Sequence, residues 1–284
     1  MGREFQPKLA PLSKPAPEKA LSLTTLLIKS LLAQRYKFFI TAGLQLGIST
    51  VFPGRYAVVP IATLALLILT TQAIDLLTPS PSPPPAFMRS VVPGRTSSLL
   101  PRPDGSFGSS PSSQPLVVFK LGVQFNHPRG QFCPGGKEIA EKFLDMNRSL
   151  LERRDELGLI SVSSWGGQQE EIGSTILLNY YFRDVESVHK FAHEEMHRKA
   201  WDWYTNERLD HIGIFHETFL VPAHAYESIY VNCKPLLMGA GLVRCEGLEK
   251  EGAQWRNTLV SADTMGLKSQ WQRMNRDMNG LPKA

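Results

Sequence analysis

Cysteine is scarce in this 284-residue chain. Its three copies, Cys133, Cys233 and Cys245, are odd in number and lack zinc-like spacing. They give no ground for a disulfide framework or a zinc module and read as free thiols of a reducing compartment. Also missing are a Walker phosphate loop, a dinucleotide fingerprint, a G-x-S-x-G elbow and a zinc-protease helix, so the chemistries that need them lose their usual signatures. A basic stripe interleaved with exposed aromatics is absent too, although the net charge is +5. Much of that excess sits in an N-terminal arm (Arg3, Lys8, Lys14, Lys19, Lys29, Arg35 and Lys37). No nucleic-acid partner is therefore expected.

Beyond the arm the chain turns apolar. No charge occurs from Phe38 to Val51 or from Tyr56 to Ile74, with Phe52-Pro53-Gly54 and Arg55 between them. A bilayer crossing takes roughly 20 apolar residues. The second run qualifies and the first is borderline, so a transmembrane segment or a helical hairpin is expected over residues 38–75. The basic arm (residues 1–37) and Arg89, Arg95 and Arg102 favour a hairpin with both flanks on the cytosolic side of an endoplasmic reticulum membrane. A single crossing would instead make Asn147-Arg148-Ser149 a luminal sequon. The length of the apolar region and its distance from Met1 argue against a cleaved signal peptide. Residues 76–115, opening on Thr78 and PSPSPPP, hold too little apolar surface to offset the entropy of ordering and are expected to be a tether.

The globular domain is expected over residues 116–241. Val117, Phe119, Leu121, Val123 and Phe125 alternate with Val118, Lys120 and Gln124, the pattern of a strand. A helix follows through Ile139, Phe143, Met146, Leu150 and Leu151, closed by Gly158. Leu159 to Trp165 reads as a second strand, Gly166-Gly167 as a turn and Thr175 to Phe182 as a third strand. Asp184 is the N-cap expected for a helix through Val185, Val188, Phe191, Ala192 and Met196. His211 to Val221 is the fourth strand. The order strand, helix, strand, strand, helix, strand predicts an α+β ferredoxin-like unit with both helices on one face of an antiparallel sheet. In the last strand Ile212, Ile214 and Leu220 alternate with Phe215, Phe219 and Val221, so both faces are apolar. A second copy closing a dimeric α/β barrel is the simplest cover. A short strand from Tyr226 to Asn232 is expected to extend the sheet or cross to the partner. The polar tail, residues 242–284, is expected to dock loosely.

Polar residues concentrate near the end of this domain. His193 and His197 share a helix face, but no third ligand follows at a recognisable spacing, so no metal site is expected. His216 lies mid-strand with Ile214 and Thr218 on its face; it is either a neutral proton acceptor in an apolar cavity or a histidine tied to a strand neighbour or Glu227. Glu217, on the opposite face, is expected to meet the helices and to need a structural partner such as Tyr226, Arg208 or a helix terminus. Glu227, Tyr230 and Asn232 alternate incompletely. Asn179 and Tyr181, with Lys120 and Gln124, form a mixed face suited to a hydroxylated substrate, or are core groups with satisfied hydrogen bonds. Cys133 lacks a paired base.

The run Gly213, His216, Glu217 and Thr218, followed by Tyr226, Glu227, Ile229, Tyr230 and Asn232 and preceded by His197-Arg198-Lys199-Ala200-Trp201, resembles a fungal family of dimeric α/β-barrel monooxygenases related to the antibiotic-biosynthesis monooxygenases. The resemblance covers about Leu116 to Gly241. Trp165 falls where the family has an aromatic residue, while Phe219 and Cys233 depart from its pattern. The resemblance implies a homodimer, a lipophilic polyketide or terpenoid substrate at a membrane, and oxygen chemistry with no bound cofactor. His216 and His197 would then be catalytic, and Asn179, Tyr181, Trp165, Trp201, Tyr230 and Asn232 would bind substrate. Glu217, Tyr226 and Glu227 would be structural polar residues. Haem-dependent chemistry and a non-catalytic module holding a hydrophobic ligand are the alternatives.

Overall fold

The computed structural model describes residues 4–15, 34–52, 54–77, 88–169 and 173–283. They belong to two units, Ser22–Ser90 and Met1–Leu21 with Val91–Ala284. In the smaller unit the two apolar runs are helical, α1 (Gln34–Val51) and α2 (Val59–Leu77), separated by a 3-10 turn at Gly54–Tyr56. Gln45 donates its side-chain amide to the Ala57 carbonyl at 2.8 Å, which ties α1 to that turn. Leu64, Leu66, Leu67 and Leu69 on α2 are exposed. Polar residues interrupt both runs: Gln45, Ser49 and Thr50 in α1, and Thr70, Thr71 and Gln72 in α2. Among the described residues no helix is long and apolar enough to cross a membrane. The expected transmembrane segment is therefore unsupported, and a pair of helices is what stands there. Residues 16–33 of the basic arm and the PSPSPPP stretch lie outside the described residues.

The larger unit contains the expected ferredoxin-like sheet. Its elements are β2 (Leu116–Phe125), α3 (Gly136–Glu152), β3 (Leu159–Gln169), β4 (Gly173–Phe182), α4 (Val185–Ala192), α5 (Glu195–Glu207) and β5 (Ile212–Val221). Strand order is β3-β4-β2-β5 and every pairing is antiparallel. The helix-side core sets Val117, Phe119 and Leu121 against Leu178, Tyr180 and Phe182, with Leu150, Val188 and Phe191 from the helices. Burial of such side chains, at about 25 cal/mol per Å² of apolar surface, is what holds this layer. Two local expectations are corrected. Gly166 and Gly167 pair with Ile176 and Thr175 inside the hairpin, so they lengthen the strand instead of turning it. The helix capped by Asp184, whose Oδ1 accepts the Ser187 amide at 2.7 Å, stops at Ala192. Glu194 is extended and paired with Arg153, and α5 starts afresh after it.

A second layer was not legible in the sequence. β1 (Val92–Ser98) is the central strand of a three-stranded sheet between β6 (Tyr230–Cys233) and β9 (Leu259–Ser261); β7 (Leu242–Arg244) pairs with β8 (Trp255–Asn257). The short helix α6 (Gln270–Arg273) opens on a capping box at Ser269 and Gln272. From the N-terminal segment, Pro7 bridges Val260, Leu12 bridges Trp255, and Phe5 is buried with Leu99, Phe107 and Leu267. Residues 88–115 are thus not a tether, the tail is not loosely docked, and β6 neither extends the four-stranded sheet nor leaves the chain. The physical reason is that many of the buried positions are polar, and several of them are satisfied by nearby backbone. Ser98 Oγ and Thr258 Oγ1 donate to the Met238 carbonyl at 3.1 and 2.6 Å, and the Asn257 amide donates to Gly239 and Gly241 carbonyls at 3.2 and 2.9 Å. Such groups cost little to bury once bonded.

This layer also covers one end of the sheet face that turns away from the helices. Leu100 and Met238 pack there on Leu116 and Ile160, with Val118, Tyr181, Val221 and Tyr226 around them. Trp165, Phe215 and Phe219 on the same face are exposed.

Candidate functional site

Register decides which residues meet. Leu121 pairs with His216, and Lys120 pairs with Glu217 and Asn179. Because Leu121 faces the helices, so does His216; Lys120, Asn179, Tyr181, Trp165, Phe215, Glu217 and Phe219 share the other face. The expected orientation of β5 is therefore reversed. Alternation defines two sets of side chains but not which one is inside, and here both sets are apolar. Glu217 does not meet the helices: its carboxylate lies 3.7 Å from Lys120 Nζ in an exposed pair. Nor does His216 enter a chamber closed by two sheets, since it is on the wrong side of the sheet for that.

On the helix side His216 meets an aromatic ring. Its ring centroid is 5.8 Å from that of Phe119, and His197 from α5 lies 5.8 Å from Phe191, edge-on. β5 is an edge strand, so Thr218 and the 65 % exposed Leu220 continue an open shelf beyond His216. Trp201, one turn along α5 from His197, is exposed and packs on Tyr204 at 5.9 Å. Burial, together with the neighbouring imidazoles of His216 and His193, holds His197 below the ordinary 6.5, against a backbone hydrogen bond at Ala192 that favours the charged ring. His197 is thus a neutral proton acceptor at physiological pH.

That depression has a measurable consequence. The unfolded chain takes up the His197 proton more readily than the folded one. The stability tied to the neutral ring is therefore complete above about 6.5 and is lost as pH falls below it through the folded value. In urea unfolding followed against pH, His197→Gln is expected to flatten that part of the acid loss; an unchanged slope would remove the claim.

The other candidates have structural ties. The Tyr226 hydroxyl donates to the Gln114 carbonyl at 2.9 Å, and Glu227 Oε2 accepts from Arg273 Nε at 2.5 Å. Tyr230 is largely buried, which pushes its hydroxyl up to about 12, and that oxygen accepts the Gly239 amide at 3.2 Å. Asn232, at φ +52°, accepts the Gly94 amide at 2.9 Å and so closes the β1–β6 pairing. Neither belongs with His216. Tyr181 is half-buried under the second layer, and burial raises its pKa. Asn179 remains on the far face, with Trp165 donating its indole N–H to Ser163 at 3.2 Å. Cys133 is buried and its thiol is pushed up by that burial, which leaves it a poor nucleophile. Among the described residues no group of three or more His, Cys, Asp or Glu is placed to hold a metal. The His193 ring instead sits 2.7 Å from the His189 carbonyl.

Residues 116–238 match the family signature described as monooxygenase af470-like. Along 98 % of its length the chain is 40 % identical to the whole of "Monooxygenase af470" of Aspergillus fumigatus. The chain belongs to the monooxygenase af470-like family. The family match spans the four-stranded sheet and β6 and ends in the 3-10 turn at Leu237–Ala240, whereas the curated relative matches along almost the whole chain. Among solved structures, the cofactor-independent oxygenase SnoaB of Streptomyces nogalater superposes on 37 % of this chain and 91 % of its own at 11 % identity and a TM-score of 0.26. An aldoxime dehydratase, OxdRE, covers 51 % of this chain and 39 % of its own at 12 % identity and a TM-score of 0.39. Both scores are low, and for this af470-like chain the fold rests on the strand order itself.

Proposed function

We propose that this chain is a monooxygenase that places one atom of molecular oxygen on a lipophilic secondary metabolite, a polyketide or terpenoid, without a bound cofactor. The observation that carries the reading is two histidines on the helix side of the sheet, His216 of β5 against Phe119 and His197 of α5 against Phe191, where burial holds the His197 ring neutral. Membership of the af470-like family, and the monooxygenase name of the Aspergillus relative, support the reaction class.

In this reading a histidine takes a proton from an activated C–H or O–H of the substrate. The resulting enolate or phenolate passes one electron to oxygen, and the substrate radical and superoxide combine to a peroxide. The proton returns to that peroxide, which leaves a carbonyl and releases water. A methylene and one oxygen molecule thus become a carbonyl and one water, and the substrate supplies every electron. His216, open to the shelf, is the base. His197 holds the second proton-accepting position, and Trp201 and Leu220 seat the apolar skeleton.

Two further parts of the reading concern assembly. Exposed Trp165, Phe215 and Phe219 support a second copy of this chain as the cover for the exposed part of the far sheet face, with Asn179 at the join. The exposed leucines of α2 support association with a membrane surface, in our reading that of the endoplasmic reticulum with the larger unit in the cytosol. This needs neither helix to span. The test of the reaction is conversion of enolisable polyketides and terpenoids by the purified, metal-stripped full chain under isotopically heavy oxygen gas. A product carrying one heavy oxygen atom is expected. Conversion that appears only after flavin or haem is added would overturn the cofactor-free mechanism.

A further inference from the structure

The run from Val185 to Glu207 contains no glycine or proline, so a single continuous helix is what its local preferences favour. It forms two helices instead. α4 ends at Ala192 and α5 begins at Glu195, because Glu194 lies at φ −59° and ψ 144°, outside the helical region. The Glu194 amide bonds back to the Phe191 carbonyl at 3.2 Å and the Arg198 amide to the Glu194 carbonyl at 3.0 Å, so the backbone ladder skips the Ala192 carbonyl. A sharp break ordinarily has a proline, a glycine or an inserted group as its cause. Neither of the first two is present, and the cause must come from outside the run.

Arg153, the residue that closes α3, supplies it. Its Nη1 donates to Glu194 Oε2, while its Nε and Nη2 hold Glu156 at 2.9 and 2.5 Å. The two carboxylates differ in depth: the Glu194 side chain is 25 % exposed and that of Glu156 62 %. Glu194 is thus the one drawn into the fold, where a carboxylate needs its donor. Helical angles at Glu194 would carry its side chain off that donor.

The break decides where His197 goes. In an unbroken helix His193 and His197, four residues apart, would share one outward face. Here they part. His193 is exposed, with Nδ1 2.7 Å from the His189 carbonyl, whereas His197 is half-buried and edge-on to Phe191 of the helix-side core. The Ala192 carbonyl that the ladder skips is the backbone group to which the His197 ring hydrogen-bonds. A neutral imidazole has one N–H, and spending it on that carbonyl leaves the other nitrogen as the proton acceptor. We propose that the Arg153–Glu194 pair is a clamp that keeps the helix broken at Glu194 and so turns His197 from solvent toward the sheet in one tautomer. Arg153 and Glu194 are positioning residues that act through His197; their bearing on turnover rests on the part proposed for His197 in the reaction.

The experiment is NMR of the full chain labelled with heavy nitrogen at histidine, which reads the tautomer and the titration of each ring; His197 is assigned by the signal lost in His197→Gln. In the parent the His197 ring is expected to show one neutral tautomer and to titrate below 6.5. In Glu194→Ala and in Arg153→Ala both tautomers are expected, and the midpoint rises toward 6.5 because burial, the largest cause of its depression, is relieved. Glu156→Ala, which removes only the more exposed partner of Arg153, is expected to leave the ring as in the parent. On a converted substrate, kcat is expected to fall by up to about 100-fold in the two clamp variants, the cost of a misplaced group. An unmoved His197 signal in both variants, or an equal change in Glu156→Ala, overturns the clamp whatever the turnover. Moved signals with undiminished turnover would support the clamp and remove His197 from the reaction. Both side chains of the pair reach the surface, and either variant decides the matter if the other does not fold.

Discussion

His216→Ala is expected to lower kcat/KM by about 10²- to 10⁴-fold, the range a positioned general base contributes. The side chain is exposed on an edge strand and its ring touches Phe119 without filling a core position, so removing it leaves the fold within about 0.5 kcal/mol of the parent. Loss of turnover without loss of stability therefore separates a chemical role from a packing one. His197→Gln keeps a polar group at the half-buried helix position and is expected to cost turnover as well. Since His216 is among the groups that hold the His197 charge down, the double variant should lose less than the product of the single losses. The readings are steady-state kinetics on a converted substrate and urea midpoints on the same preparations. Undiminished turnover in His216→Ala would end its assignment as base, and a drop that tracks the urea midpoint would make the residue structural.

The sequence carried the sheet well because its signals there are local. The alternation from Leu116 to Phe125 is a period-two pattern with one apolar set, and Asp184 caps a helix by bonding three residues ahead. Face assignment failed on β5 for a reason of the same kind: Ile214 and Leu220 on one side and Phe215 and Phe219 on the other leave nothing in the strand to say which side meets the helices. Only the pairing of His216 with Leu121 settles it. That reversal split the expected site, leaving His216, His197 and Trp201 on one side and Asn179, Tyr181 and Trp165 on the other. The second layer escaped because β7, β8 and β9 are three residues long, too short to show a period. Its buried groups, Thr96, Ser97, Ser98, Asn257 and Thr258, are residues normally read as surface.

Glu227→Ala is expected to destabilise the chain by about 3 kcal/mol, because it strands a guanidinium that the fold has already removed from water. The Arg273 side chain is 7 % exposed and its Nε lies 2.5 Å from Glu227 Oε2. Its Nη1 donates to the Leu267 carbonyl at 3.1 Å, and its own carbonyl accepts from Ser112 Oγ at 3.1 Å. The pair thus ties the segment after β5 to the C-terminal helix α6 and to the loop before β2, three stretches with no shared strand. Losing the carboxylate leaves the charge buried with backbone carbonyls alone, whereas Glu227→Gln retains a hydrogen-bond acceptor and should cost less. Replacing both partners, as Glu227→Ala with Arg273→Met, removes the stranded charge and is expected to recover part of the loss. On a chain of this size about 3 kcal/mol corresponds to a fall of about 6–12 °C in Tm. Glu217→Ala is the matched control, since its exposed pair with Lys120 is worth at most about 1 kcal/mol. If the two glutamate variants melt together, the Glu227–Arg273 pair does not hold the second layer in place.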